Sequence, residues 1–453
     1  MEEKMSVRVD FRSPETQRLE TPAGTWLLLA DRKAGPEEMP EPPASALAWE
    51  RVSARFEELT AVFLPRDAES DLPCQAFRGL FSGFELFRVE TPEGGLFLTD
   101  DFRAAGKAGG KRKTSPAALL DYLLFQYPAG TDTFLPGVKR LGPGEALSVQ
   151  CGETGVPKML QAEGLRLPGK VSPGEALEKV RQALSSAVES SLSGVSDAAV
   201  LLSGGIDSTL ISLFGGRKAI ALHASTDSPE LAYEEDYASD SCGELGIPLV
   251  RLFFHERDFL QDLEETTARL GRPFPVTNFQ AVFHNRLFRL PYGLFLSGDI
   301  ADRLFGQELE PTGNGDDNPI SRLVRYCPLD LLNGMFGPDL VRSRLELYGE
   351  TLEKLMGPGC EPLTVGRKAD LLVFFGLNYW IHYFRPLAAA YGKRFIAPYG
   401  RKAVFEAALA CPARHELDGN HPKPLLGEIA RKTLPGYPVP VKKGGSGVPR
   451  TRS

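Results

Sequence analysis

The pattern of hydrophobic and polar residues changes along the chain, and its first part is typical of β-structure. Apolar runs there are short and bounded by Gly, Pro or charged residues, as at 25–29 and 95–98. Runs of this kind predict strands separated by turns. A longer apolar stretch at 117–126 predicts a helix instead. We therefore expect a β-rich segment over roughly the first 165 residues.

A different pattern begins after Pro168-Gly169-Lys170, where the chain is expected to break. Residues 175–193 place apolar side chains at helical spacing, and the continuous apolar run 198–202 is typical of a strand covered on both faces. The same criteria predict strands at 220–222, 249–254 and 293–296, helices at 209–214, 233–245 and 280–289, and a helix-rich remainder from 320. Alternating strands and helices predict a parallel sheet, so the expected fold class is α/β.

The chain of 453 residues is too long for one ordinary core, so two or three domains are expected. Its hydrophobic content of 42% and charged content of 25% are those of globular proteins. The change of pattern sets the boundary, which gives one domain at 1–168 and a second at 169–453.

Charge and composition exclude several classes of function. The net charge of −7 argues against a nucleic-acid surface spread over the whole chain. No apolar run approaches the ~18 residues that span a bilayer, and the charged start MEEKMSVRVDF has no hydrophobic signal core. We therefore expect a cytoplasmic protein that binds neither nucleic acid nor membrane. The six cysteines and six histidines lack metal-binding spacing, so no metal site built from them is expected.

The most informative motif follows the predicted strand at 198–202 and is Ser203-Gly204-Gly205-Ile206-Asp207-Ser208. In parallel sheets ligands bind at the carboxyl ends of the strands, and glycines there let backbone N–H groups approach phosphate oxygens. Ser203 and Ser208 add hydroxyl donors, and the Asp207 carboxylate suits Mg²⁺ that bridges to phosphate. The motif is neither G-x-x-x-x-G-K-[ST] nor G-x-G-x-x-G. A plain Gly-Gly turn is the alternative, but the whole motif after a buried strand favours nucleotide binding.

This motif resembles the PP-loop of the ATP pyrophosphatases, and in particular that of the asparagine synthetase family. The stretch LSGDIADRLFG at 296–306 resembles that family's L-S-G-E-G-A-D-E-L-F-G. The stretches YLLFQY at 122–127 and TFLPGVKRLGPGE at 133–145 resemble the end of its glutamine-amidotransferase-like domain. The resemblance covers most of the chain and is strongest at 117–147, 198–210 and 294–306.

The resemblance implies a fold and a reaction. The fold would be a degenerate class II glutamine-amidotransferase-like domain of the α+β Ntn-hydrolase type, followed by a parallel-sheet α/β PP-loop synthetase domain. In this family a carboxylate attacks the α-phosphate of ATP, pyrophosphate leaves, and an amine then displaces AMP to give an amide. ATP and Mg²⁺ would be the cofactors. The partners would be an amine and a carboxylate substrate, either a small molecule or a peptide.

The same resemblance implies four groups of residues that bind the nucleotide and its metal. Pyrophosphate would be surrounded by Ser203, Gly204, Gly205, Asp207 and Ser208, and magnesium would be shared by Asp207 and Asp302. Adenosine would be bordered by Ser297 and Gly298. Adenine would be flanked by Leu202, Leu222 and Ala224. For the last group, ordinary core packing is an equally good alternative. For Asp302 the alternative is an acid placed at a helix N-terminus for the helix dipole.

Charged positions in two parts of the chain are catalytic candidates on the same basis. Asp299 stands where asparagine synthetases have Glu, and it could accept a proton from the attacking amine. A solvated carboxylate that caps the next helix is the alternative. Lys443, with Lys442 as second choice, matches the family's late lysine, which stabilises charge on the acyl-adenylate. A Lys-Lys pair is otherwise a common solvated surface. Lys423, in HPKPLL, resembles a second basic position of the family only weakly.

The chain departs from the family at the amidotransferase nucleophile. Glu2 stands where glutamine-dependent members have a cysteine, and the first cysteine, Cys74, has no N-terminal amine to act as its base. We therefore expect no glutaminase activity. Arg303 replaces a family Glu, and Arg394 and Ile396 stand where Glu and Arg are usual before Pro-Tyr, so a product other than asparagine is expected.

Three functions remain open on this basis. The first is an amide-bond ligase that uses ammonia or a substrate amine. The second is a ring-closing enzyme, like the β-lactam synthetases and lasso-peptide macrolactam cyclases, which also lack the cysteine. The third is a nucleotide-binding pseudoenzyme, and the retained Asp207, Asp302 and Lys443 count against it. A second copy of the chain and a protein of the same pathway are both compatible as partners.

Overall fold

Two compact units make up the chain, and the first of them is discontinuous in sequence. One comprises Met1–Arg166 with Leu309–His382, and the other comprises Leu167–Glu308 with Tyr383–Ser453. The computed structural model describes residues 6–67, 71–92, 94–110, 113–128, 130–150, 158–161, 164–166, 168–227, 232–274, 280–306, 327–356, 365–376, 380–411 and 423–435. Compactness does not identify the two domain types expected above, so their assignment to 1–168 and 169–453 stays a prediction.

The described residues form strands and helices throughout both units. The strands are β1 Val7–Asp10, β2 Thr16–Glu20, β3 Gly24–Ala30, β4 Leu59–Pro65, β5 Cys74–Arg78, β6 Phe87–Glu90, β7 Leu96–Thr99, β8 Val138–Arg140, β9 Glu145–Val149, β10 Lys158–Gln161, β11 Ala198–Leu201, β12 Ala219–Thr226, β13 Leu249–Phe254, β14 Leu294–Ser297 and β15 Arg394–Ile396. The helices are α1 Ala46–Ser53, α2 Phe102–Ala108, α3 Pro116–Phe125, α4 Pro173–Leu192, α5 Ile206–Gly215, α6 Ala232–Leu245, α7 Phe259–Leu270, α8 Gln280–Leu287, α9 Ala301–Phe305, α10 Leu329–Phe336, α11 Pro338–Leu355, α12 Val365–Gly376, α13 Arg385–Ala389, α14 Lys402–Ala410 and α15 Pro424–Thr433. A π-helical turn, Trp380–Phe384, precedes α13.

The first unit is built on two sheets. The larger has the strand order β10-β9-β5-β4-β3-β2, and every neighbouring pair in it is antiparallel. The smaller has the order β1-β7-β6-β8, with a parallel pair between β1 and β7. The β-rich first segment expected from the sequence is confirmed, as is the helix at 117–126, which is α3.

Aromatic side chains fill one core of this unit, on one face of the larger sheet. Successive strand residues point to opposite faces, so Trp26 and Leu28 of β3 enter the same core. The Trp49 ring of α1 lies edge-on to Trp26 at 5.6 Å and stacks on Phe77 of β5 at 4.7 Å. The short apolar strands are therefore stable here because α1 covers their buried face.

The second unit contains a parallel sheet with the order β13-β12-β11-β14-β15. The central strand β11 is buried along its whole length, which agrees with its continuous apolar sequence. Four of the five strands lie where the hydrophobic pattern predicts them, and the predicted parallel α/β fold class is confirmed. The edge strand β15 was not predicted. Within the described part of the chain, no helix is long and apolar enough to cross a membrane.

Candidate active site

The phosphate-loop motif lies directly at the carboxyl end of β11. The chain leaves the strand at Leu201, turns, and enters α5 at Ile206. Gly204 has φ of +78°, and a Cβ atom there would lie 2.5 Å from the Tyr237 Cβ of α6. Both the backbone conformation and the packing of α6 therefore require glycine at this position. Gly205 holds the N-cap position of α5 and, having no side chain, makes no side-chain hydrogen bond that caps the helix.

Serine hydroxyls brace this turn from within. The Ser203 and Ser208 Oγ atoms are 3.2 Å apart, and the Ser208 Oγ also accepts from the Ser203 N–H at 3.2 Å. The Ser203 Oγ in turn accepts from the Gly205 N–H at 3.3 Å. These contacts fix the turn before any ligand binds. These N–H and O–H groups make only weak contacts with one another. They could therefore donate to an incoming anion instead.

A second segment lies against the start of α5. β14 pairs with β11, so Ser297 is level with Leu201 at the same edge of the sheet. Gly298 follows, and a Cβ atom there would lie 2.8 Å from the Ser208 N and 3.0 Å from the Asp207 Cβ. Glycine is thus required by the close approach of the two segments. The structure brings together the two motifs that are about 90 residues apart in sequence.

Asp299 is half-buried and bonded within its own segment. The Ser297 hydroxyl donates to the Asp299 Oδ2 at 2.5 Å, and the Asp299 N–H donates to the Ser297 Oγ at 3.2 Å. Burial raises the pKa of Asp299 to about 6, the charges of Asp302 and Asp207 add to this, and the Ser297 hydrogen bond opposes it. The residue that caps α9 is Ile300, not Asp299. The carboxyl group can therefore exchange a proton close to neutral pH.

Ile300 has an unusual backbone conformation for a β-branched residue. Its φ is +80°, in the region that favours glycine, and the family motif quoted above has glycine at this place. Strained residues of this kind persist where the surrounding structure holds them, often at functional sites.

A buried lysine joins the two segments. The Lys423 Nζ forms ion pairs with the Asp207 Oδ2 and with the Asp302 Oδ1, the latter at 2.8 Å. Only 4% of Lys423 is exposed. Burial opposes its charge, but the two carboxylates outweigh burial and raise the pKa of Lys423 above its usual value. The sequence indicated Lys423 only weakly. The signal that could have found it is Pro424, because proline at the first helical position marks the start of α15.

Tyr399 is a residue at this site that the sequence did not indicate. It lies just after β15, its side chain is fully buried, and its hydroxyl donates to the Asp207 backbone carbonyl at 3.2 Å. Burial raises the pKa of Tyr399 well above its ordinary value, so the phenol keeps its proton and remains a donor. The aromatic ring lies edge-on to Phe305 of α9 at 6.0 Å. Tyr399 thereby ties the start of α5 to β15 and α9.

Of the proposed adenine-flanking residues, Leu202 directly follows β11, and Leu222 and Ala224 lie within β12. Leu202 and Leu222 are buried, and the Leu202 N–H donates to the Leu222 carbonyl at 2.8 Å. Leu202 also packs in a hydrophobic cluster with Ala238 of α6. Ala224 is half-buried. Core packing therefore accounts for Leu202, and the adenine role of all three stays a prediction.

Residues 179–336 match the family model of asparagine synthase. This part of the chain is similar to the asparagine synthase family. The match begins in α4, includes the phosphate loop and the Ser297–Asp302 segment, and ends in α10. It supports an ATP-using ligase or synthetase that forms C–N bonds.

Other comparisons add little to the asparagine synthase match. Among curated proteins, none matches the chain. Among solved structures, the NMN synthetase of Francisella tularensis is similar over 43% of this chain and 100% of its own, at 13% identity and a TM-score of 0.23. A similarity at that TM-score carries no argument about fold or function.

The matched region 179–336 contains two acids suited to Mg²⁺. Among the described residues, no group of three or more His, Cys, Asp or Glu could hold a metal ion. Mg²⁺ at nucleotide sites is commonly bound by one or two carboxylates together with substrate phosphates. Asp207 and Asp302 already share one cation, the Lys423 ammonium, so the pair fits such a site.

Several predicted residues are outside what can be described. Lys442, Lys443 and Glu2 lie outside the described residues, so their roles stay predictions. The residues that do meet at this edge of the sheet are Ser203, Gly204, Gly205, Asp207, Ser208, Ser297, Gly298, Asp299 and Asp302, with Lys423 and Tyr399 added by the fold.

Proposed function

We propose that the chain is an ATP-dependent amide-bond synthetase that forms AMP and pyrophosphate and activates its carboxylate substrate as an acyl-adenylate. The observation that carries the proposal is the meeting of the phosphate loop and the Asp299–Asp302 segment on one buried lysine. The alternative of an accidental Gly-Gly turn gives no reason for this arrangement.

In this proposal the loop binds the phosphates that leave. The N–H groups at the start of α5 and the hydroxyls of Ser203 and Ser208 donate to pyrophosphate oxygens. Lys423 adds a charged donor, and charge-assisted hydrogen bonds to phosphate are about twice as strong as neutral ones. Asp207 and Asp302 would hold Mg²⁺, which supplies charge neutralisation for the departing pyrophosphate.

The two chemical steps place different demands on the protein. First, a substrate carboxylate oxygen attacks the α-phosphorus, and the bond to the pyrophosphate oxygen breaks. Next, the amine nitrogen attacks the acyl carbon, the bond to the AMP oxygen breaks, and the amine loses a proton. We assign that proton to Asp299, because a carboxyl with a pKa of about 6 is mostly ionised at pH 7 and can still hold a proton. Lys443 or Lys442 would stabilise the charge that develops on the acyl group.

The amine is proposed to come from solution or from the substrate. Glu2 stands at the position of the family's cysteine, so the chain is not expected to release ammonia from glutamine. The first unit would then act as a scaffold or binding surface. The carboxylate substrate, a small molecule or a peptide, stays open between an intermolecular reaction and a ring-closing one.

The test is ATP–pyrophosphate exchange measured across a panel of candidate carboxylates. Exchange with one acid and Mg²⁺, without any amine, is the expected result, because adenylate formation precedes amine attack. Products formed with and without added ammonia then distinguish the intermolecular ligase from the ring-closing enzyme. ATP binding without exchange for any acid would count against the proposal and favour a nucleotide-binding pseudoenzyme.

A further inference from the structure

Lys423 forms ion pairs with two aspartates at once. Its ammonium bridges Asp207 in the first turn of α5 and Asp302 in the first turn of α9. These two acids are the ones expected to bind the metal. A cation therefore already lies at the place that a divalent ion would take.

Packing holds the lysine in this position. Lys423 directly precedes α15, and α15 packs against α4, α5 and α9. The two acids belong to α5 and α9, so α15 contacts both helices that carry them. The Lys423 side chain is 5% exposed, which leaves its ammonium little water to compensate for losing either carboxylate.

A free divalent ion would meet an unfavourable environment here. Mg²⁺ binds carboxylate oxygens at about 2.0–2.1 Å, which would place it beside the ammonium that pairs with the same two carboxylates. Like charges this close repel strongly in a partly buried site, where salt screens them little. Metal binding by both carboxylates would therefore require the ammonium to move, and another anion would favour that movement.

Nucleotide phosphate supplies that anion. Phosphate oxygens accept charge-assisted hydrogen bonds from lysine, which releases the carboxylates for the metal. We propose, on the basis of the function proposed above, that Lys423 is a specificity-determining residue: it excludes free divalent cations from Asp207 and Asp302 and admits the metal only together with nucleotide phosphates.

The experiment measures Mn²⁺ binding to the full chain by the electron paramagnetic resonance signal of free Mn²⁺. Nucleotide-free wild type and Lys423→Met are compared first. The wild type is expected to bind Mn²⁺ at least tenfold more weakly than Lys423→Met, because the variant leaves both carboxylates without their cation. With a non-hydrolysable ATP analogue bound, the wild type is expected to bind Mn²⁺ at least as tightly as the variant.

Lys432→Met is the matched control. Lys432 lies near the end of α15 with its side chain 61% exposed, so this variant removes the same charge at the other end of the helix that Lys423 precedes. Its Mn²⁺ binding without nucleotide should equal that of the wild type. Equal Mn²⁺ affinity of wild type and Lys423→Met without nucleotide would overturn the proposal.

Two features keep the result interpretable. If Lys423→Met does not fold, Mn²⁺ binding by Lys423→Gln is compared with that of the wild type instead. Tight Mn²⁺ binding by the nucleotide-free wild type would overturn the inference without any variant. The measurement needs neither a carboxylate substrate nor turnover. Absence of pyrophosphate exchange would therefore count against the proposed function alone, whereas equal Mn²⁺ binding would count against the lysine role alone.

Discussion

Asp207 and Asp302 have the same side chain but different surroundings. The Asp207 side chain is 22% exposed and that of Asp302 is 49% exposed. Tyr399 also bonds the backbone of Asp207. Asp207 is therefore the more firmly positioned of the two, and it belongs to the phosphate loop itself. If Asp207 holds Mg²⁺, removing the charge of Asp207 weakens the binding of both the metal and the phosphates.

Asp207→Asn is expected to lower ATP–pyrophosphate exchange by at least about 10–100-fold, the loss typical even when a partner of a metal ligand is removed. The amide keeps the shape of the side chain and removes the charge that binds the cation. Asp236→Asn, at an exposed position of α6, is the control and should exchange like the wild type. Unchanged exchange in Asp207→Asn would remove Asp207 from the metal site.

The His223 side chain supports the phosphate loop by a hydrogen bond to the backbone of the residue that precedes the loop. It is buried on β12, and its Nδ1 lies 2.8 Å from the carbonyl oxygen of Leu202, the residue before Ser203. Burial lowers the pKa of His223, although this hydrogen bond opposes the shift, so the ring is neutral at pH 7. A neutral ring that donates from Nδ1 holds the carbonyl at the point where the chain leaves the sheet.

The position of the donor gives a sharp prediction for His223. His223→Asn places an N–H near that of Nδ1 and is expected to retain ATP affinity. His223→Leu leaves the Leu202 carbonyl without its donor, at a cost of about 1 kcal/mol, or roughly fivefold in ATP dissociation constant. Calorimetric titration with ATP and thermal melts measure binding and folding separately. Equal weakening of ATP binding in both variants would show that the hydrogen bond is not what matters.

At the level of elements, the sequence predicted the parts of the site that are local. Ser203 to Ser208 and Ser297 to Asp302 each form a contiguous motif between a strand and a helix, so hydrophobic pattern and motif chemistry locate them together. Tyr399 lies just after β15 and Lys423 lies directly before α15, far along the chain from both motifs. Their places depend on long-range packing, and β15 is only three residues long, too short for a pattern to reveal.

α8 carries a buried histidine that makes stability depend on pH. His284 lies among aromatic rings, 4.4 Å from Phe384 and 5.7 Å from Phe288. Burial lowers the pKa of His284 to about 3. Below the ordinary histidine pKa of about 6.5 the unfolded chain binds a proton that the folded chain refuses. The contribution of His284 to stability is therefore complete above about pH 6.5 and falls as the pH decreases towards 3.

Removing this histidine is expected to remove part of the acid sensitivity. One proton costs about 1.4 kcal/mol per pH unit, so lowering the pH from 6.5 to 5 should cost the wild type about 2 kcal/mol more than His284→Leu. Urea unfolding at both pH values measures the difference. An identical pH dependence in His284→Leu would contradict the assignment.

At the scale of the whole molecule, the return of 309–382 to the first unit was not predicted. Helical spacing predicts helices in this stretch but not what they pack against. The reason appears in α11, where the Arg344 Nε donates to Asp121 of α3 at 2.8 Å and the Arg344 Nη1 donates to Asp132 at 2.9 Å. The Tyr348 hydroxyl donates to the Tyr127 carbonyl at 3.0 Å. Single charged residues separated by more than 200 positions leave no periodic signal in a sequence.

These ion pairs allow a test of what holds the first unit together. Arg344→Met would leave Asp121, whose side chain is fully buried, without its charged partner, and breaking a buried pair in this way costs about 3–5 kcal/mol. Arg342 lies two residues away on the same helix and also pairs with an aspartate, Asp339, but both side chains are exposed. Arg342→Met should therefore cost only about 0–1 kcal/mol. Chemical denaturation of the two variants side by side compares the same substitution in two environments. Equal destabilisation would mean that the buried pair does not bind 309–382 to the first unit.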